Sequence, residues 1–203
     1  MKKILLLLFL FSRIIDSSFS QDLYLKTGVN STKYKFVDDQ GQPIYKFLPA
    51  IAPSFEIGYG YPISGSLVNE FGLSLDGYNS KGDTNFSDYD YSTFYGGIRN
   101  STSFNATFGD LEVGMVGLLG ASKILSGDQL INNSRFDLTE QADFKGVFFH
   151  RGIGINFNYF FRDEVLISSG IDYSIASKLD RIPSENLSFV TTRVLFGIHF
   201  ILD

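Results

Sequence analysis

The sequence predicts an all-β protein, an eight-stranded antiparallel up-and-down transmembrane β-barrel. Three observations carry this prediction. The chain of 203 residues is rich in Phe (21), Tyr (11) and Gly (20) and has no Cys. Its apolar residues alternate with small polar ones at a period of two, which indicates strands with one apolar face. The links between these segments are alternately short and long, as in a barrel whose hairpins differ at its two ends.

The first residues have the layout of a secretory signal peptide. Lys2 and Lys3 form a short positive region, and an apolar run from Ile4 to Phe11 follows. This run is about half of the ~20 residues that a membrane-spanning helix needs. Ser18-Phe19-Ser20 supplies a small-x-small cleavage pattern, so we expect cleavage between Ser20 and Gln21. Residues 1–20 are thus predicted to be the signal peptide and residues 21–203 the barrel domain.

Eight segments of the remaining chain alternate. They are Leu23–Asn30, Phe55–Tyr61, Phe71–Asp76, Phe94–Phe108, Leu111–Ala121, Ile153–Phe161, Val165–Ile175 and Phe189–Leu202. The last one is the clearest, because Val190, Val194, Phe196, Ile198 and Phe200 all fall on one face. The five prolines lie between segments or at a segment end, where a strand does not need their missing N–H for its ladder.

The links between segments divide into two groups. Short links lie near residues 62–66, 109–110 and 162–164. Longer polar links are predicted near Ser31–Ala52, Asn79–Tyr91, Ser126–Ala142 and Lys178–Leu187. One end of the barrel therefore carries tight turns and the other carries long loops, which is typical of membrane barrels. We expect Ser31–Ala52 to be an exposed loop that binds a partner. Its candidate contact residues are Lys33, Tyr34, Lys35, Phe36, Asp38 and Asp39.

The composition of the polar face indicates which face is outside. A face in water usually carries Lys, Glu and Asp, whereas this one is mostly Gly, Ser and Asn. Small residues suit the narrow interior of an eight-stranded barrel. Aromatic residues such as Tyr59, Tyr159 and Phe200 lie near the short-turn ends of their segments, as in an interfacial girdle. The apolar face is therefore predicted to contact lipid.

Charged residues of both signs fall on the polar face and are predicted to form an internal ion-pair network. The predicted members are Lys26, Glu56, Glu70, Arg99, Glu112, Asp172, Arg193 and His199, and Asp76 shares their face. Buried charges need partners. Asp172 and Arg193 lie on successive antiparallel segments at similar distances from the link between them, so we expect them to be neighbours. The alternative is a selective pore lined by these charges.

Little in the sequence points to catalysis or to a cofactor. The absence of Cys excludes thiol catalysis and disulfides. His150 and His199 are the only histidines, and both fall on the inward face, so a catalytic triad on the lipid-facing wall is not expected. We expect both to be hydrogen-bonded interior groups, with His199 at the short-turn end, where it could join Glu70 and Glu112. We expect no enzyme activity, cofactor or metal. A net charge of −5 argues against nucleic acid as a partner.

The chain resembles the eight-stranded outer-membrane β-barrel proteins of Gram-negative bacteria, the OmpA/OmpX-like porin superfamily. The resemblance lies in the signal-like segment 2–21, in the segment Gly152–Phe161 with its tight link at residues 162–164, and in the terminal segment Phe189–Asp203. It implies location in the bacterial outer membrane after cleavage of the signal peptide, with outer-membrane lipid around the barrel. It also implies roles as varied as envelope integrity, adhesion, passage of small solutes and assistance to secretion systems.

Three functions remain open from the sequence. The first is a barrel with a plugged polar interior that acts as a structural or interaction scaffold. Its long extracellular loops would bind an extracellular or envelope protein. The second is a narrow porin-like channel for ions or small solutes. The third is a secreted soluble barrel, similar to a lipocalin, whose Phe and Ile faces point inward around an apolar ligand.

Overall fold

The structure is a computed structural model that describes residues 21–37, 40, 42, 47–82, 89–131, 134–179 and 186–202. The predicted signal peptide and the predicted contact residues Asp38 and Asp39 lie outside these residues. The described strands are β1 (Gln21–Val37), β2 (Phe47–Ser64), β3 (Leu67–Gly77), β4 (Ser80–Gly82), β5 (Tyr89–Phe108), β6 (Leu111–Ile131), β7 (Ser134–Asp137), β8 (Val147–Arg162), β9 (Val165–Lys178) and β10 (Asn186–Leu202). The described ranges contain no helix that is long and apolar enough to cross a membrane.

Eight long strands form one closed antiparallel barrel, which confirms the predicted fold class. Seven antiparallel pairings join successive long strands in chain order: β1–β2, β2–β3, β3–β5, β5–β6, β6–β8, β8–β9 and β9–β10. β1 also pairs with β10, from Gln21 opposite Leu202 to Val37 opposite Asn186, and this pairing closes the ring. The short β4 continues the line of β3 between β2 and β5, and β7 pairs with the end of β6. All eight predicted segments lie within these long strands.

The lipid-facing assignment is visible in the exposure of alternate residues. On β10, Arg193, Leu195, Gly197 and His199 are buried, whereas Val194, Phe196, Ile198 and Phe200 are exposed. The same pattern covers the other long strands, so the barrel has an apolar outer wall and a polar interior. The lipocalin-like alternative is therefore wrong, because it needs the same Phe and Ile faces to point inward.

The predicted loops are shorter than the sequence indicated. β1 continues to Val37 and β2 begins at Phe47, so much of Ser31–Ala52 is strand, and Tyr34 and Phe36 are buried inside the barrel. The strands also enter the predicted loops Asn79–Tyr91 and Ser126–Ala142. The physical reason is that the pattern inverts beyond the lipid. There the outward face becomes polar, as at Lys33, and the inward face becomes aromatic.

Candidate functional site in the filled interior

Aromatic side chains fill the interior at the end of the barrel that carries the long loops. We call this cluster the aromatic cap. Its buried members are Tyr34, Phe36, Phe47, Tyr78, Tyr91, Tyr95, Ile124, Leu138, Phe144, Phe148, Ala176, Leu187 and Phe189. Tyr34 lies 5.0 Å from Phe189 between ring centroids, and its hydroxyl donates to the Tyr78 carbonyl at 2.7 Å. Burial raises the pKa of the Tyr34 hydroxyl, so it stays a neutral donor.

Part of the aromatic cap comes from the segment between β7 and β8. Leu138 and Phe144 of this segment are fully buried, and Phe144 lies 5.9 Å from both Tyr34 and Tyr91 between ring centroids. The Leu138 N–H donates to the Gly127 carbonyl at 2.9 Å, which ties the segment to β6. Gly146 has a φ of 110°, a conformation that favours glycine where the chain turns into β8. The segment therefore lies across the loop end of the barrel.

His150 lies beneath the aromatic cap. Its Nε2 is 2.6 Å from the Ser122 hydroxyl oxygen, and its ring centroid is 5.8 Å from that of Tyr78. The side chain is buried and points into the barrel. It is therefore placed as an interior hydrogen-bonding group and not on the lipid-facing wall.

Below the aromatic cap, five charged side chains meet in what we call the ionic layer. Arg193 on β10 contacts Glu56 on β2 at 3.0 Å and Asp172 on β9 at 2.9 Å. Arg99 on β5 contacts Asp76 on β3 at 2.8 Å. Longer pairs of 3.7 Å (Arg99 with Glu56) and 3.8 Å (Arg193 with Asp76) join these into one network. Both arginines are about as buried as core residues, with 4% of each side chain exposed.

Uncharged groups add hydrogen bonds to two carboxylates of the ionic layer. The Tyr24 hydroxyl donates to Glu56 at 2.9 Å, and the Ser54 hydroxyl donates to Asp76. These donors matter because a buried carboxylate left with unfilled acceptor sites is costly. The two arginines and three acids thus share their charges across five strands.

The other predicted network residues lie nearer the tight-turn end. Lys26 contacts Glu70 at 2.6 Å, and Ser101 donates to the same carboxylate at 3.0 Å. Glu112 accepts from Asn105 at 3.2 Å and from Thr107 at 3.4 Å. The eight predicted residues therefore fall into three groups. Glu56, Arg99, Asp172 and Arg193 belong to the ionic layer, Lys26 and Glu70 form a pair beside His199, and Glu112 is bonded separately.

His199 joins different partners from those that the sequence suggested. Its Nδ1 is 2.5 Å from Asp22, and its Nε2 is 3.0 Å from the Ser168 hydroxyl. Glu70 is 4.0 Å away, and Glu112, which the sequence also suggested as a partner, is bonded elsewhere. Asp22 and Ser168 were missed, although both share the inward parity of their strands, which was the available signal.

The Asp22–His199–Ser168 chain has the order of groups found in a catalytic triad, but it lacks other features of one. Ser168 is 5% exposed and lies inside the wall. Its strand β9 is paired on both sides, with β8 and with β10, so its N–H groups serve the sheet. An oxyanion needs N–H donors that are not already bonded. The arrangement fits an interior hydrogen-bond chain.

The tight-turn end of the interior is open, and both polar and apolar residues line it. A cavity of about 290 Å³, which we call the vestibule, is lined by residues that include Asp22, Glu70, Glu112, Asn156 and His199. Deeper in the barrel, next to Lys26, Asp172 and Arg193, the free space falls to about 60 Å³. Within the described residues, no cluster of three or more His, Cys, Asp or Glu side chains is arranged to hold a metal ion.

Comparisons with known proteins identify the fold. No protein-family model matches the sequence. A search of curated proteins also gives no match. Among solved structures, Neisserial surface protein A (NspA) is 13% identical and superposes with a TM-score of 0.54 over 89% of this chain and 97% of that chain. The outer membrane protein OprG from Pseudomonas aeruginosa is 11% identical, with a TM-score of 0.50 over 90% of this chain and 97% of that chain. The chain therefore has the fold of these outer-membrane β-barrels, with eight long strands in its own ring.

Proposed function

We propose that this protein is an outer-membrane barrel with a closed interior that acts as a structural or interaction scaffold through its loop end. The observation that carries the proposal is the ionic layer, in which Arg99 and Arg193 are held between Glu56, Asp76 and Asp172. Lipid would surround the apolar wall, and the signal peptide would direct the chain to secretion. No catalytic activity is part of the proposal.

The ionic layer supports a closed interior for a steric and an electrostatic reason. An eight-stranded barrel has room inside for side chains but not for an open channel. Here the side chains come from β2, β3, β5, β9 and β10 and meet in the middle. A water path through the barrel would have to break these buried ion pairs, and each broken pair costs about 3–5 kcal/mol. The aromatic cap adds a second barrier above this layer.

The long strands support a role at the loop end. β5 has 20 residues and β6 has 21, whereas a tilted strand crosses the membrane in about 9–11. Roughly half of this hairpin would therefore stand outside the lipid. The paired ends of these strands, with Tyr89 opposite Ile131, and the loops beside them give an extracellular or envelope protein a surface to bind.

A narrow channel is the second candidate, and the vestibule is the observation that favours it. Its acidic lining of Asp22, Glu70 and Glu112 would attract cations from the tight-turn side. Conduction would then require the ionic layer to open. The two candidates thus differ in whether this layer stays closed.

The experiment has two stages. The first compares the gel mobility of membrane-extracted protein with and without boiling in SDS, and we expect a heat-dependent shift because closed barrels resist SDS until heated. The second records conductance of the purified barrel in planar bilayers, where we expect no steady current. A steady current that Arg193→Gln changes would favour the channel. A soluble protein with no mobility shift would overturn the outer-membrane proposal itself.

A further inference from the structure

We propose that the outer wall formed by β5, β6 and β8 binds an acylated glycolipid that carries two phosphates. The proposal rests on the membrane location proposed above. It assigns the headgroup to two unpaired cations, Arg151 and Lys123, and an acyl chain to a depression in the wall at Gly117.

The depression exists because Gly117 replaces a side chain on the lipid-facing side of β6. It lies between Thr102 of β5 and Ile153 of β8 in the strand register. A Cβ at Gly117 would meet one atom within 4 Å, the Thr102 carbonyl oxygen at 3.9 Å, so the space above it is open. The depression measures about 340 Å³, and its lining includes Asn100, Leu119 and Arg151.

One side of the depression is polar, which is unusual for a wall in contact with lipid. Asn69 donates to the Thr102 hydroxyl oxygen at 2.8 Å, and Asn100 donates to the Asn69 side-chain oxygen at 2.8 Å. Thr102 thus accepts a bond and keeps its own hydroxyl proton for another acceptor. The depression therefore has one hydrogen-bonding side in an otherwise apolar wall.

The two cations lie above the depression on neighbouring strands. Arg151 and Lys123 are both exposed, and neither has an acidic partner within the described ranges. Lys123 is twelve residues from Leu111, where β6 begins, and Arg151 is eleven from Arg162, where β8 ends (123 − 111 and 162 − 151). For strands tilted by about 45°, this places both cations about 26 Å above the tight turns, at the upper margin of the apolar band.

The spacing of the cations favours two phosphates over one. Arg151 pairs with Leu119 in the register and Lys123 with Val147, so the two cations are four positions apart along the strands. This corresponds to about 14 Å between Cα atoms. A headgroup with phosphates on both ends of a disaccharide reaches both cations, whereas a single phosphodiester reaches one. Lipid A has this chemistry and is the probe of choice.

The test titrates detergent-solubilised barrel with lipid A and measures the bound fraction by native mass spectrometry. Arg151→Gln and Lys123→Gln are each expected to weaken binding about five-fold, the effect of one lost cation near an anionic lipid. Gly117→Leu fills the depression without a clash and is also expected to weaken binding. Lys33→Gln is the matched control, because Lys33 is an exposed cation on β1, away from the depression.

Three comparisons make the result decisive. Equal loss in Lys33→Gln and Arg151→Gln would overturn the proposal, because attraction would then be general. Equal affinity for phosphatidylglycerol or monophosphorylated lipid A would overturn the two-phosphate assignment, as would full competition by inorganic phosphate. Each variant is also tested for the heat-dependent mobility shift. If the wild type shows no heat-dependent mobility shift, the proposed membrane barrel itself is contradicted. If the wild type shows the shift but does not bind lipid A, only the lipid site is refuted.

Discussion

At the scale of single residues, Arg193 is the centre of the interior. Its guanidinium contacts carboxylates from three strands, Glu56, Asp76 and Asp172. Arginine suits this position because its planar fork of donors reaches several acceptors at once and stays charged. Glu56 on β2 and Arg193 on β10 are 137 residues apart in the chain, so this contact depends on the closure of the barrel.

Removal of the Arg193 charge is expected to destabilise the barrel strongly. Arg193→Gln leaves three acids with one arginine, and breaking a buried pair in this way costs about 3–5 kcal/mol. Urea unfolding in lipid vesicles, followed by circular dichroism, measures this loss. Arg135→Gln is the control, since Arg135 pairs with Asp128 on the exposed β6–β7 hairpin and should change little. Similar effects of the two variants would contradict the role of the ionic layer.

Ser168 is expected to be chemically inert despite its contact with His199. It is buried, and the N–H groups around it serve the sheet, so it should not react with a fluorophosphonate probe. The measurement compares labelling of the folded wild type with that of Ser168→Ala. Labelling that disappears only in the alanine variant would show a reactive serine and would reopen the question of catalysis.

At the scale of elements, the segment between β7 and β8 does more than connect strands. It places Leu138 and Phe144 inside the aromatic cap, so a link that the sequence predicts to be an exposed polar loop is in part a buried element. Lys178 of β9 donates to the Ala142 carbonyl and fixes the segment from the opposite side. The stability of the loop end therefore depends on this insertion.

Truncation of Phe144 tests this insertion. Phe144→Ala leaves a cavity among the rings of Tyr34, Phe36 and Tyr91 and is expected to cost about 3–5 kcal/mol. Phe136→Ala is the control, because Phe136 on β7 is 46% exposed. Thermal unfolding in detergent, read from the mobility shift at increasing temperature, separates the two. If both variants melt like the wild type, the segment does not pack in the barrel in solution.

At the scale of the whole molecule, the apolar outer wall decides the environment of the protein. Ile155 lies seven residues from the tight-turn end of β8 and is 46% exposed on the outer wall (162 − 155). Ile155→Lys is expected to destabilise the barrel in vesicles by about 2–4 kcal/mol, the cost of a lysine near the bilayer midplane. Val147→Lys, at the loop end of the same strand, should cost about 0–1 kcal/mol. Equal costs would argue against a membrane around this wall.

The sequence predicted the parts of the strands whose outward face meets lipid. It did not predict the parts of the same strands that extend beyond the lipid. Within the lipid, the outward positions must be apolar and the interior positions small or paired, so the period of two is regular. Beyond it, Lys33 faces outward and Tyr34 faces inward, and the alternation changes sign. A reading based on apolar outward positions therefore ends the strands too early.

The sequence by itself determined the strand order, the polar interior within the lipid and the pairing of Asp172 with Arg193. Each of these depends only on the period of two along a strand and on the pairing of strands that follow one another in the chain. The tertiary structure decided the rest of the interior. The closure of β1 on β10 brings Asp22 to His199, and the barrel brings Glu56 to both arginines. These partners depend on the stagger of eight strands around a closed ring, and no period along a single strand encodes that stagger.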